Sequence, residues 1–183
     1  MKIKDEEIIL LMSQPISSEK GLRAMMDTYQ SRLYWHIRRL IVQQDIAQDV
    51  LQDTFIKAYQ NFGQFKKDSQ LYTWLYRIAT NEALQQLAKM KKMQKTDEDA
   101  EYYMQNLVAQ NADHNAEEIQ ILLQKAIHTL PEKQKLVFNI RYYDELPFEE
   151  ISKILEISIS SCKTNYHYAK EKIENYIKEN YEI

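Results

Sequence analysis

The sequence predicts an all-α protein made of two small helical domains joined by an acidic linker, the second ending in a helix-turn-helix. Three observations carry that expectation. Glycine and proline together account for five of 183 residues, too few for the turns of a β-sandwich or barrel. Apolar residues recur at helical spacing on both sides of residues 96–118. That intervening stretch is polar and holds seven Asp and Glu with no Lys or Arg.

Ser18, just ahead of Glu19, opens a helix through Met25, Tyr29, Leu33 and Ile37 to about Ile41. Leu51, Phe55, Ala58 and Phe62 follow at i, i+4, i+7 and i+11, the core face of a second helix. After a break from Gly63 to Ser69, with Ser69 as N-cap, a long helix carries Leu71, Trp74, Leu75 and Ile78 on to Leu84, Leu87 and Met90. These helices form a bundle over residues 1–94. Between 95 and 116 the periodicity dissolves into Thr96-Asp97-Glu98-Asp99-Ala100-Glu101 and further polar residues, which reads as a flexible linker. Residues 117–183 hold a second core, opening with Ile119, Leu122, Leu123, Ala126, Ile127 and Leu130. Pro131 and Pro147 each start a helix, the first with Leu136, Val137 and Ile140, the second with Ile151, Ile154 and Leu155. Ser158 then caps a final helix whose buried stripe is Cys162, Tyr166, Ala169, Ile173 and Ile177.

A hydrophobic fraction of 44% with 28% charged residues can build a real core. No apolar run nears the ~18 residues of a membrane span, and the N-terminus lacks a signal-peptide stretch, so a cytoplasmic protein without membrane insertion is expected. One cysteine, Cys162, excludes an internal disulfide and a Cys-rich zinc site. The net charge of −3 hides an uneven distribution. Residues 1–95 carry 15 Lys and Arg against 10 Asp and Glu, a net +5, residues 96–118 carry −7, and residues 119–183 carry −1. A basic first half suits a polyanion. With two glycines there is no phosphate-binding loop, and His36, His114, His128 and His167 are scattered singly, so no catalytic residue, metal or cofactor is expected.

Three groups of residues point to binding. From Pro147 onward the helix, three-residue break and helix have the size of a helix-turn-helix. With Cys162, Tyr166 and Ala169 inward, Ser160, Thr164 and His167 lie opposite the core, flanked by Ser161, Lys163 and Tyr168, with Lys170 beyond. Such groups can contact base edges and phosphates, although periodicity alone favours the surface helix of a plain αα-hairpin. Asp45, Asp49 and Asp53 form an acidic stripe with Gln52 and Lys57 nearby, either a solvated face or a face for a basic partner. Between Phe62 and Arg77, aromatics alternate with cations, as single-stranded nucleic acid requires. Phe62, Trp74 and Leu75 fall on the apolar stripe and read as core. Tyr72, Tyr76, Arg77 and the loop Lys66, Lys67, Asp68, Ser69, Gln70 are the nucleic-acid candidates.

Four segments bear on the identity. They are Asp49-Val50-Leu51-Gln52-Asp53-Thr54-Phe55, Leu71 through Asn81, Leu130-Pro131-Glu132-Lys133-Gln134, and Cys162 through Lys170. Together, and in this order, they resemble the extracytoplasmic-function (ECF) branch of the bacterial sigma-70 factors, the promoter-recognition subunits of RNA polymerase. The resemblance spans roughly residues 17–180. It implies that residues 1–94 are sigma region 2 and 117–183 sigma region 4, and that partners are core RNA polymerase, promoter DNA and a cognate anti-sigma factor. It also implies that Asp45, Asp49, Gln52, Asp53 and Lys57 dock on the polymerase clamp helices. The loop Lys66 to Gln70, with Tyr72, Tyr76, Arg77 and Asn81, would then capture a flipped base of the minus-ten element. Ser160, Ser161, Lys163, Thr164, His167, Tyr168 and Lys170 would read the minus-thirty-five element. The chain departs from the family where Asn165 and Tyr168 replace frequent arginines, which removes bidentate guanine contacts there. The competing expectation is a helix-turn-helix regulator that does not act through core polymerase.

Overall fold

The computed structural model of the protein describes residues 4–66, 69–93 and 116–180. Among them the structure is all-α. It comprises α1 (Asp5–Met12), α2 (Ser18–Arg38), α3 (Gln44–Gln60), a 3₁₀ turn (Phe62–Gln64), α4 (Leu71–Met93), α5 (Ala116–Thr129), α6 (Glu132–Tyr142), α7 (Phe148–Leu155) and α8 (Ile159–Asn180). Two compact units result, one built on α1 to α4 and one on the helices from α5 onward. The acidic linker expected over 95–116 lies outside the described residues except for Ala116, the first residue of α5. No helix among the described residues is long and apolar enough to cross a membrane.

In the first unit α2 packs against α1, α3 and α4, and α3 packs against α4. The sequence gives no clear signal for α1, because Ile8-Ile9-Leu10-Leu11-Met12 is a continuous apolar run. Its Ile8 and Met12, one turn apart, are the residues buried on α2. The contact is close because α2 presents Gly21 there: a Cβ at that position would sit 2.7 Å from the Met12 backbone nitrogen and 2.8 Å from its Cγ. At the other end of α1, Tyr29 of α2 donates a hydrogen bond to the Asp5 carboxylate. Burial first, and then this bond, hold the Tyr29 phenol well above its ordinary pKa.

Helix α2 begins at Ser18 as expected, with Ser17 donating its hydroxyl to the Leu11 carbonyl at 2.9 Å. It ends at Arg38, whose guanidinium donates to the carbonyls of Ile41 and Val42 and satisfies the exit from the helix. On α3 the buried residues are Ala47, Val50, Thr54, Phe55 and Ala58, while Leu51, expected in the core, is half-buried. Gln70 rather than Ser69 precedes the first turn of α4, its carbonyl accepting the Trp74 N–H at 3.2 Å. Leu71, Thr73, Trp74, Leu75, Tyr76, Ala79, Thr80 and Ala83 of α4 are all buried, an arc wider than one apolar stripe. Two neighbours, α2 and α3, cover this helix. Phe62, Phe65 and Trp74 close the end of the unit as an aromatic cluster with centroids 5.3 to 6.0 Å apart.

In the second unit α5 and α6 pack on α8. Ala126, Ile127, Leu130, Phe138, Ala169 and Ile173 form one core, with Tyr166 and Ile177 partly buried against it. Ile119, expected to open this core, is 47% exposed because it lies in the first turn of α5. Pro131 and Pro147 occupy the N-cap positions, one residue before the expected place, and their carbonyls accept the N–H groups of Lys135 and Ile151. Phe148 of α7 packs edge-on against Tyr166 of α8, and Arg141 of α6 lies 5.3 Å over the Phe148 ring. Helix α7 ends at Glu156 in the left-handed conformation (φ 54°, ψ 41°). The turn is locked by Ser152, whose carbonyl accepts the Ile157 N–H and whose hydroxyl donates to the Ile157 carbonyl at 2.5 Å. Ser158 then caps α8 as expected, its hydroxyl accepting the Ser161 N–H at 3.1 Å. This is a helix-turn-helix.

Candidate nucleic-acid interface

The inward set of α3 fixes what the helix shows outside. Ala47, Val50 and Thr54 face the core, with the Thr54 hydroxyl satisfied by the Val50 carbonyl at 2.7 Å. Asp45, Asp49, Gln52 and Asp53 are therefore all exposed. Ile56, 51% exposed, continues this face one turn beyond Asp53 and Gln52. Its signal in the sequence was an apolar residue off the Leu51, Phe55, Ala58 spacing. Lys57 does not stand with this stripe. Its ammonium is 2.6 Å from Glu82 of α4 in an ion pair, with the Lys57 side chain 43% exposed and that of Glu82 12%.

At the start of α4, Lys66 and Gln70 are exposed and Ser69 is half-buried, while Lys67 and Asp68 lie outside the described residues. Tyr72 and Arg77 are half-buried and Asn81 is exposed. Tyr76 corrects the sequence expectation: it is 0% exposed and cannot stack on a base. It faces α2, where its ring lies 4.7 Å from that of His36. The Thr80 hydroxyl donates to the Tyr76 carbonyl at 2.7 Å, so His36 Nε2 is the donor in its 2.9 Å bond to Thr80. Residue 76 lies one position off the apolar stripe and is buried because α2 covers that side too. Arg32 of α2 sits 5.8 Å over the Tyr72 ring and 5.7 Å over that of Tyr76, a cation held beside the half-buried member of this tyrosine pair.

Between α3, the 3₁₀ turn and α4 opens a groove of about 280 Å³. It brings together Lys57, Asn61, Trp74, Arg77, Asn81 and Glu82, with the amides of Gln64 and Gln85. Only Lys57, Arg77 and Asn81 among these are sequence candidates. The others escape because a groove wall is assembled from separate helices, and nothing local in sequence marks Asn61 or Glu82. Its walls mix cations, one carboxylate, amides, the Ile78 side chain and a largely buried Trp74, a lining that offers both hydrogen-bond donors and acceptors.

Along α8, Ser160, Lys163, Thr164, His167, Tyr168 and Lys170 are exposed, opposite buried Cys162 and Ala169. Burial pushes the Cys162 thiol above its usual pKa, so it behaves as a packed apolar group. Ser161 is half-buried and turned onto its own helix, where Asn165 Nδ2 donates to both its carbonyl (2.8 Å) and its hydroxyl (3.2 Å). The outward face can thus offer hydroxyls, an imidazole and two ammonium groups to a duplex groove.

Comparison with known proteins bears on the family. The Sigma-70 region 2 family matches residues 25–93, and the Sigma-70, region 4 family matches residues 120–173. The ECF RNA polymerase sigma-E factor of Haemophilus influenzae is 28% identical over 185 residues, covering 96% of each chain. The RNA polymerase sigma-H factor of Pseudomonas aeruginosa is 31% identical over 155 residues, covering 80% of each. The fold is similar to that of CnrH, solved with the cytosolic domain of CnrY (TM-score 0.70, 15% identity, 97% of this chain and 99% of that one). It is also similar to the sigma factor RpoE of Bartonella quintana, solved with the anti-sigma factor NepR (TM-score 0.67, 19% identity, 88% and 99%). The helical unit matching region 2, the helix-turn-helix matching region 4 and the sigma-factor relatives together establish that the chain belongs to the extracytoplasmic-function branch of the sigma-70 family of RNA polymerase sigma factors.

Proposed function

We propose that the chain divides promoter work between its units, with no chemistry of its own. Residues 1–94 bind core RNA polymerase and hold the unpaired minus-ten strand. Residues 117–183 read the minus-thirty-five duplex, and residues 95–116 tether the two. The acidic stripe Asp45, Asp49, Gln52 and Asp53, with Ile56, docks on a basic polymerase surface. Tyr72 with Arg32, Lys66, Lys67, Asp68, Ser69, Gln70, Arg77, Asn81 and the groove beside them take the exposed bases, and Lys57 belongs to this groove. Ser160, Lys163, Thr164, His167, Tyr168 and Lys170 face the duplex, and Ser161, turned onto Asn165, shapes that face from within the helix.

The observation that carries this reading is the segregation of faces. Acids lie on the outside of α3, cations and an accessible aromatic lie at the start of α4, and a capped helix in the second unit presents small polar groups. An anti-sigma protein is a further partner, since the two similar structures named above are complexes, one with an anti-sigma factor by name. The chain itself works in the cytoplasm. The test is run-off transcription with purified core polymerase on genomic fragments. Discrete transcripts that require the chain are expected. A chain that binds promoter fragments but yields no transcripts and no complex with core would mark it as a regulator acting without polymerase.

A further inference from the structure

We propose that Glu82 selects the base held in the groove between α3 and α4, its carboxylate accepting an exocyclic amino group and so disfavouring thymine. This rests on the reading that the groove holds an unpaired minus-ten base. The residue lies on α4 one position after Asn81, and its side chain is only 12% exposed. Lys57, at the wetter side with 43% exposure, holds Oε1 at 2.6 Å. A carboxylate has about four acceptor sites, so Oε2 is left for a guest. Shielded from bulk water, that oxygen gains most from a donor the guest brings.

The other groups in the groove sharpen the choice. Asn61 Nδ2 is committed to the Lys57 carbonyl at 2.9 Å, and Asn61 Oδ1 accepts from Gln64 Nε2 at 3.3 Å. The Asn61 amide is thus committed, and among the acceptors that remain, with the Asn81 and Gln85 amides, the carboxylate is the strongest. The ion pair also neutralises Glu82, so the groove admits an acidic strand without a net repulsive charge. Adenine, cytosine and guanine each carry an exocyclic amino donor. Thymine has a single N3–H between two carbonyls, and those carbonyls face the carboxylate oxygen unfavourably.

The experiment uses holoenzyme assembled from the full chain and core polymerase. The probe is a library of promoter-length duplexes with a pre-melted minus-ten bubble whose non-template strand is randomised, and the bound fraction is sequenced. Wild type is expected to deplete thymine on the order of tenfold at one position. Glu82→Met removes the acceptor, and Glu82→Gln adds a donor that suits thymine carbonyls. Both variants should lose that depletion while preferences at other positions persist. Tryptophan fluorescence on unfolding confirms that each variant folds, and the near-isosteric Gln keeps the test open where Met does not fold. Unchanged thymine depletion in the folded variants, or a loss spread evenly over all positions, overturns the role of Glu82 alone. A wild-type library with no preference at any position overturns the minus-ten reading of the groove as well.

Discussion

The Lys57–Glu82 pair should respond asymmetrically to truncation. Glu82 is the more buried partner at 12% exposure, against 43% for Lys57. Lys57→Met leaves a largely desolvated carboxylate without its cation, a cost of about 1–3 kcal/mol. Glu82→Met leaves an ammonium on a flexible stem that can turn to water, so the loss should stay below about 1 kcal/mol. With both replaced, the apolar pair should recover much of the Lys57→Met loss, because no stranded charge remains. Both tryptophans, Trp35 and Trp74, lie in the first unit, so their fluorescence during urea unfolding reports that unit separately. Equal costs for the two single variants, or a double variant whose cost is their sum, would refute the assignment of the carboxylate as the desolvated partner.

The two glycines should behave oppositely. Gly21→Ala drives a methyl into the Met12 backbone and should cost about 1–3 kcal/mol with loss of amide protection in α1, whereas Gly63→Ala meets nothing within 4 Å and should be neutral to slightly stabilising in the same unfolding assay. Asp49→Lys with Asp53→Lys should abolish co-purification with core polymerase while far-UV circular dichroism stays unchanged, since both side chains are exposed; retained binding would move the docking face elsewhere. Lys163→Ala should weaken duplex recognition by about 1–3 kcal/mol and spare strand opening, and Tyr72→Ala should do the reverse, with a pre-melted promoter restoring part of the loss. Permanganate footprinting of unpaired thymines with core polymerase present separates the two, and equal effects in both variants would argue against the division of labour.

Features set by local chemistry were legible in the sequence. Ser158 caps α8 because a hydroxyl three residues ahead of an N–H suffices, and the stripe from Cys162 to Ile177 follows from period alone. The outward face of α8 then came with it. Features set by contacts between distant segments were not legible. Tyr76 is buried by α2, forty residues upstream of it, and Lys57 is drawn from the acidic stripe by Glu82, 25 residues on. Helix α1 has an apolar run without amphipathic period, so only its seat on Gly21 identifies it. Ile119 has the right spacing for a core residue but sits in a first turn where spacing is not yet enforced by neighbours.

The left-handed elbow at Glu156 can be viewed as the pivot of a lever. Helix α8 has 22 residues and so extends about 33 Å from that pivot. A swing of ~10° at the elbow would carry its far end roughly 6 Å, but would move Ser160 by less than about 1 Å and Lys170 by roughly 3 Å. The residues proposed to face the duplex lie in the proximal half, where the lever arm is short, except Lys170 just past the midpoint. The distal turns are anchored in the core through Ala169, Ile173 and Ile177, so that swing is resisted at the long end of the arm and the proximal face of α8 keeps its register.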